Sequence, residues 1–385
     1  MTHATDRKRD PPPAATWPPP APAGARVDAL HARACTIPTQ GPESDGTLAW
    51  DKTTIVLVEA HADGVTGHGY TYADATAAAL VEDVLAGELR GADALATERA
   101  WWKMAGAVRN LGRPGIASHA ISAIDVALWD LKARLLGLPL FRLLGAVRDR
   151  VAIYGSGGFC SFSDEQLSEQ LGGWARAGIP RVKMKVGRDP KADEHRVWCA
   201  REAVGDDVEL MVDANGAWTV PQALDCAHRW CPAFGVRWIE EPVSGDDLRG
   251  LREIRSRAPM GVAVAAGEYG YTPYQQSAML DAQAVDVLQA DVTRCGGVTG
   301  FANVAAQCVA RQIPLSAHTA PSIHAHLGCA LAPVIHLEWF ADHVRIESML
   351  FDGALTPRGG ALAPDPERPG LGIEPRPEEV ERWAS

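Results

Sequence analysis

Lysine is nearly absent from this chain, with seven lysines beside thirty arginines in 385 residues. Cysteines in a C-x-x-C spacing are missing as well. The eight cysteines (35, 160, 199, 226, 231, 295, 308 and 329) are scattered, several inside apolar or helical runs such as QALDCA and AAQCVA. Such a pattern fits reduced, buried thiols and speaks against a disulfide framework or a zinc ribbon. No apolar run reaches the roughly 18 residues that a membrane-spanning helix needs, and the mean hydropathy is −0.10. Basic charge is in deficit. Lys+Arg total 37 against 48 Asp+Glu, a formal net charge of −11, which is the wrong sign for neutralising phosphates over a wide surface. Neither nucleic acid nor a membrane is expected as a partner. The first 24 residues, MTHATDRKRDPPPAATWPPPAPAG, carry basic residues with no apolar stretch behind them, so no secretory signal is read there and a cytoplasmic location is expected.

Apolar material is plentiful: 46% of residues are hydrophobic and 22% charged, the balance of an ordinary globular protein. Residues 1–24 are rich in proline and alanine without periodicity and read as a disordered arm. From Val27 to about Asp63 the pattern alternates as in paired strands, VDALHARACTI and TTIVLVEAHADG around a polar loop, which predicts a small antiparallel sheet. Residues 73–145 switch to apolar spacings of three and four and read as helical. Together, residues 25–147 are expected to form an α+β domain.

A different rhythm begins after Gly145. Short apolar runs open at Val151, Val182, Val208, Val236, Val262, Val285, Ile313 and Val334, 21 to 31 residues apart, with helix-like segments between most of them. Eight strands alternating with helices over residues 148–346 predict a (β/α)8 barrel, whose chemistry gathers at the C-terminal ends of the strands. In the second of these strands, alternation puts Lys183 and Lys185 on one face. In a chain so sparing of lysine, the pair suggests that a titratable amine matters, because arginine holds its proton and lysine can release it. Two neighbouring ammoniums should also lower one another's pKa toward that of a general base.

The third, fourth and fifth strands close with Asp213, Glu240 followed by Glu241, and Glu268. Singly, D-A-N-G is a turn and E-E-P a strand end broken by proline. As a series on one rim, carboxylates would repel one another unless a shared hard cation offsets them, and oxygen ligation without His or Cys points to Mg2+. The sixth, seventh and eighth strands end at Asp291, His318 and Glu338. Asp291 beside His318 is the pairing by which a carboxylate fixes an imidazole tautomer.

With those residues in hand, the chain resembles the enolase superfamily in its mandelate-racemase-like subgroup. The resemblance rests on AISAIDVALWDLKARLLGLPLFRLLG (120–145), KMK, DANGAW, WIEEP, AAGE and the spacing of Asp291, His318 and Glu338, and it spans the chain from about residue 27. It implies a modified TIM-type barrel under an α+β cap to which residues 347–385 return, with Mg2+ (or Mn2+) on Asp213, Glu240 and Glu268. It further implies proton abstraction α to a carboxylate. Lys185 would be one base, its pKa lowered by Lys183 and the metal; His318, oriented by Asp291, would act from the other face; and a protonated or proton-sharing Glu338 would bind a substrate carboxylate oxygen. Ser156, Asn215 and Arg294 are candidate substrate contacts. Dehydration of an acid sugar is the expected reaction, and racemisation or epimerisation of a 2-hydroxy acid the alternative. A metal-dependent hydrolase would leave the lysine pair without a role, and a non-catalytic carboxylate binder would not need two bases. A homo-oligomer, from dimer to octamer, is expected. Specificity is expected in a mobile loop at residues 38–53, containing Gln40, Glu43, Ser44, Asp45, Trp50, Asp51 and Lys52, while His324 and His326 read as structural.

Overall fold

The computed structural model describes residues 24–385; the expected N-terminal arm lies outside the described residues. Three strands open the fold as an antiparallel meander: β1 (Ala29–Ser44), β2 (Ala49–Ala62) and β3 (Val65–Tyr72). The Ile116–Leu135 helix lies against this sheet. Two strand glycines let it come close, since a Cβ on Gly67 or Gly69 would fall 2.4 Å from the Ala127 carbonyl oxygen or 2.2 Å from that of Ala123. Val56, Val58, Ile121, Ile124 and Leu128 fill the space between.

Eight parallel strands follow: β4 (Val151–Gly157), β5 (Arg181–Lys185), β6 (Glu209–Asp213), β7 (Val236–Glu240), β8 (Ala263–Ala266), β9 (Val287–Ala290), β10 (Leu315–Ala317) and β11 (Val334–Phe340). Pairing of β11 with β4 closes them into a barrel. Each run read from the sequence holds its strand, and a helix follows every one. Local chemistry starts these helices: Ser163 with Gln166 and Thr219 with Gln222 form capping boxes, and Pro190, Pro273 and Pro321 stand in first turns where a missing N–H costs nothing. Alternation divides the strand side chains into two cores. Val182, Met184, Leu210, Val212, Ile239, Val264 and Leu288 pack outward into the helical layer, whereas Tyr154, Met211, Trp238, Ala265 and Val287 form a separate cluster inside the barrel.

The structure corrects one expectation here. Residues 38–53 are not a loop: β1 and β2 continue as a paired hairpin with one irregularity between Pro38 and Glu43, leaving only Asp45–Leu48 as the turn. The Asp45 side chain accepts from the N–H groups of Thr47 and Leu48 and holds that turn, and polar strand residues such as Thr39 and Lys52 carried no alternation by which the sequence could announce strands. The C-terminal segment touches both units: on the cap side Phe351 packs against Tyr70, the Leu371 N–H donates to Asp130, and Glu374 pairs with Arg134. β13 (Ala361–Leu362) pairs antiparallel with Val151 and Ala152 of β4, β12 (Phe351–Asp352) pairs with β14 (Glu374–Pro375), and the Pro377–Trp383 helix and the residues after it reach β1, through Arg33–Glu381 and the Cys35–Ala384 bridge. Among the described residues no helix is long and apolar enough to cross a membrane, and all eight cysteines are free.

Candidate active site

Parallel register brings the barrel-mouth residues into one row. Lys185 stands opposite Asp213, and Asp213 opposite Glu240, across β5, β6 and β7. Lys183 lies one inward row below, beside Ser156 and Met211. Glu268 follows the end of β8 after Gly267, a residue at φ 129° whose missing Cβ leaves room for the Gln289 carbonyl. Asp291 and His318 each come one residue after β9 and β10. Four non-glycine residues next to these strand ends, Asn215, Glu241, Thr319 and Ala320, have positive φ, a backbone strain that concentrates where side chains must be aimed.

Asp213, Glu240 and Glu268 each offer an oxygen within 4.8 Å of the others, and all three are buried. Oε2 of Glu268 and Oε1 of neighbouring Glu241 are buried without a hydrogen-bond partner. Five buried carboxyl groups (Asp213, Glu240, Glu241, Glu268 and Glu338) surround two ammoniums, Lys183 and Lys185. Burial pushes Glu240 and Glu241 well above the usual carboxylate range and the like charges around them push the same way. Asp213 goes down, because Lys185 and Lys183 outweigh the effect of its burial. An orphaned oxygen, an all-oxygen donor set and excess negative charge together fit a hard divalent cation.

The lysines differ from expectation. Burial lowers both, but Glu240 and Glu338 around Lys183, and Asp213 beside Lys185, raise both above the ordinary lysine value. Mutual repulsion of the ammoniums is outweighed by carboxylates that strand alternation alone could not place. Lys185 Nζ donates to Asp213 Oδ2 at 2.5 Å and reaches the cavity. Lys183 is fully buried, bound to Glu240 and, at 2.9 Å, to Glu338 Oε1.

Three donors hold Glu338. It accepts from Ser156 Oγ at 2.6 Å, Lys183 Nζ at 2.9 Å and the Thr319 N–H at 3.0 Å. Burial raises its pKa, but Lys183 and the other cations pull it below the usual range. Ser156 is wholly buried and spends its hydroxyl on Glu338, below the residues that line the cavity. His318 behaves as the sequence suggests: its Nδ1 lies 2.8 Å from Asp291 Oδ2, and its Nε2 is turned toward Glu268 at 3.2 Å. Asp291 is held well below the ordinary range, since its bond to His318 outweighs its burial, and it accepts from the Thr293 N–H and hydroxyl as well. Its carboxylate thus keeps the proton of the ring on Nδ1 and leaves Nε2 for chemistry.

A cavity of about 420 Å³ opens above this row. Lys185, Asn215, Glu268, Arg294, His318 and Glu338 line it. Asn215 presents a buried Oδ1 with no partner, whereas Arg294 is engaged with Glu268 at 3.3 Å and Asp291 at 3.4 Å and stacks on Tyr269. The hairpin supplies Asp45, Leu48, Trp50, Lys52 and Thr53; of the residues expected there, Gln40 and Asp51 face solvent. Glu43 is buried, accepts from Trp50 Nε1 at 2.9 Å, and is pushed up to about 8 by burial and by Asp342. Tyr72, Phe340 and His343 form a wall that the sequence reading missed. Phe340 was findable, two residues past Glu338 on the same strand face; Tyr72 and His343 carry no local signal. His324 and His326 are structural: His324 bridges the Thr319 carbonyl and the Val292 N–H, and His326 the Leu371 carbonyl and the Phe141 N–H.

A closed β/α barrel with a carboxylate triplet, a lysine and an aspartate-bound histidine on one cavity, roofed by an α+β unit, defines a cation-assisted acid/base enzyme fold. Comparison makes the class specific. Residues 33–145 match the mandelate racemase / muconate lactonizing enzyme N-terminal domain, and residues 166–380 match the enolase C-terminal domain-like family. The chain therefore belongs to the mandelate racemase / muconate lactonizing enzyme family of the enolase superfamily. It is 36% identical to a 3,6-anhydro-alpha-L-galactonate cycloisomerase of Streptomyces coelicolor, over 88% of this chain and 93% of that one. It is 31% identical to L-talarate/galactarate dehydratase of Salmonella typhimurium, over 94% and 91%. A crystal structure of that dehydratase with Mg and L-lyxarohydroxamate superposes with a TM-score of 0.87 at 29% identity, covering 100% of this chain and 97% of the other. A mandelate racemase/muconate lactonizing enzyme-like protein from Rubrobacter xylanophilus is 55% identical, with a TM-score of 0.92 over 94% and 100%.

Proposed function

We propose that this protein dehydrates an acid sugar, an aldonate or aldarate, to a 2-keto-3-deoxy acid by way of an enediolate. The observation that carries the reading is the meeting of Lys185 and the Asp291–His318 pair on one cavity beside the Asp213–Glu240–Glu268 triplet. Asp213, Glu240 and Glu268 would hold Mg2+ or Mn2+, which would supply positive charge against the carboxylate oxygens as the α-proton leaves and would draw on the Asp213 carboxylate that otherwise raises the Lys185 pKa. Lys185 Nζ, in its neutral form, takes the α-proton. His318 Nε2 carries the proton that the departing β-hydroxyl needs, and Asp291 stabilises the imidazolium and holds its orientation. Lys183 is a positioning residue: locked between Glu240 and Glu338, it keeps both carboxylates aimed. Asn215, whose amide oxygen is free, is placed to bind a substrate hydroxyl.

A second reading keeps the site and changes the leaving group. The 36% identical relative is a cycloisomerase, and if the β-oxygen belongs to a ring, protonating it opens the ring without loss of water. Incubation with a panel of linear and anhydro mono- and diacid sugars plus Mg2+, assayed for 2-keto acid, tests both. Product from linear acids supports dehydration, product from anhydro acids alone supports the second reading, and α-proton exchange without any keto acid would overturn both in favour of a racemase or epimerase. Activity should vanish with EDTA and return with Mg2+; full turnover of metal-free protein would refute the reading.

A further inference from the structure

Away from the barrel mouth, three side chains of different chemistry converge, Asp164 and His195 on the outer surface and Cys199 buried just beneath it. Asp164 is the first residue of the Asp164–Arg176 helix, and His195 and Cys199 lie four apart, on one face of the Pro190–Val204 helix beside it. One oxygen, one nitrogen and one sulfur from these residues all fall within 4.8 Å of one another. His195 Nε2 is 2.8 Å from Asp164 Oδ2 and 3.5 Å from Cys199 Sγ. The Asp164 and His195 side chains are about half exposed, at 48% and 57%, so solutes reach them.

A single ring nitrogen cannot satisfy both neighbours. If Nε2 carries the proton it donates to Asp164 and cannot also accept from the thiol; if it is bare it accepts from the thiol and faces a carboxylate with nothing between them. A cation at the common point serves all three. Zinc bonds of roughly 2.0–2.1 Å to nitrogen and 2.3 Å to sulfur, at a tetrahedral angle, separate the two ligand atoms by about 3.5 Å, which is the spacing of His195 Nε2 and Cys199 Sγ. Nitrogen and oxygen would stand about 3.4 Å apart by the same geometry, so Asp164 has to turn outward from its present 2.8 Å. Being half exposed at the end of a helix, it is free to do so.

We propose that Asp164, His195 and Cys199 form a second metal site, selective for Zn2+ or a similar borderline-soft divalent cation, with water in the fourth position. Imidazole and thiolate together disfavour Mg2+, so the site does not compete for the ion that the barrel mouth takes. Binding releases the Cys199 thiol proton to solvent, uses neutral His195 through Nε2 and leaves Asp164 ionised; the charges on cation, thiolate and carboxylate then cancel. The site ties the start of one barrel helix to the middle of the next, and its effect is on stability, with no part in turnover.

Cobalt(II) added to the full-length, Mg2+-saturated protein is the probe, because oxygen ligands at the barrel mouth produce no thiolate-to-cobalt absorption in the near ultraviolet. One equivalent should produce that band, and Zn2+ should bleach it and raise the melting temperature. Cys199→Ser should remove the band. His195→Gln, at an exposed position where folding is not at risk, should weaken Zn2+ binding by more than the roughly 10- to 100-fold that loss of a mere supporting partner costs. Cys160→Ser should retain the band, and all three variants should keep Mg2+-dependent activity. No thiolate band in the wild-type protein, a band surviving Cys199→Ser, or Zn2+ affinity unchanged in His195→Gln would each overturn the proposal, leaving a hydrogen-bonded surface cluster.

Discussion

Ser156 and Glu338 show how a residue's chemistry depends on who stands next to it. The sequence reads Ser156 as a candidate substrate contact and Glu338 as a protonated or proton-sharing acid; the pairing of β11 with β4, which closes the barrel, makes Ser156 a donor to Glu338. Ser156→Ala should therefore cost about 1.5–3 kcal/mol of stability, the range for a hydrogen bond to a charged group, measured by urea denaturation; a neutral effect would show that the bond matters little. The two acid/base groups separate by isotope exchange. In D2O, Lys185→Met should lose exchange of the substrate α-proton, whereas His318→Asn should retain exchange but lose keto-acid formation by about 10² to 10⁴. Wild-type turnover in His318→Asn would remove His318 as the acid.

The strand ends were legible at the scale of elements because their residues form a period: Asp213, Glu240, Glu268, Asp291, His318 and Glu338 each end or closely follow one apolar run. The far half of the β1–β2 hairpin was not legible, since it is polar and its strand character comes from cross-strand bonds rather than alternation. Its tip is seated. A Cβ on Gly46 would meet the carbonyl oxygens of Ala214 at 2.5 Å and Val186 at 2.7 Å, and Arg188 Nη1 donates to the Leu48 carbonyl at 3.1 Å. Gly46→Ala should lift the tip from the barrel rim while the fold stays intact, raising KM and lowering kcat/KM by up to about 10², as misplaced substrate walls do. Unchanged kinetics would show that the hairpin does not shape the site. Gly69→Ala acts elsewhere, wedging the cap helix off its sheet, and should cost about 1–3 kcal/mol as other overpacked cores do, read as a lower urea midpoint; an unchanged midpoint would contradict that close packing.

Cap and barrel meet through buried polar groups on the scale of the whole molecule. Glu347 accepts from Tyr70 of β3 at 2.5 Å and from Ser322 of the Pro321–Ala330 helix at 2.5 Å. Its burial outweighs those bonds and pushes the carboxyl up to about 7. A carboxyl raised in the folded state binds more protons folded than unfolded, so its contribution falls as pH rises from its unfolded value, near 4.5, through about 7. That slope reaches at most about 1.4 kcal/mol per pH unit. Glu347→Gln should flatten the pH dependence of the unfolding free energy between those limits, with chemical denaturation as the measurement; a difference curve that does not change with pH would refute the assignment.

By itself, the sequence determined the alternation of strands and helices, the order of the chemical residues along the barrel rim and the presence of a carboxylate triplet with a lysine and a histidine. Those features are written in period and position, because parallel strands of one barrel put their C-terminal ends on one face. Tertiary structure alone decided which charges neutralise one another. The raised lysines, the Lys183–Glu338 pair, the wall of Tyr72 and His343 and the pairing of β13 with β4 depend on contacts between segments far apart in the chain. A buried group takes its charge from its neighbours in space, and the local sequence does not name them.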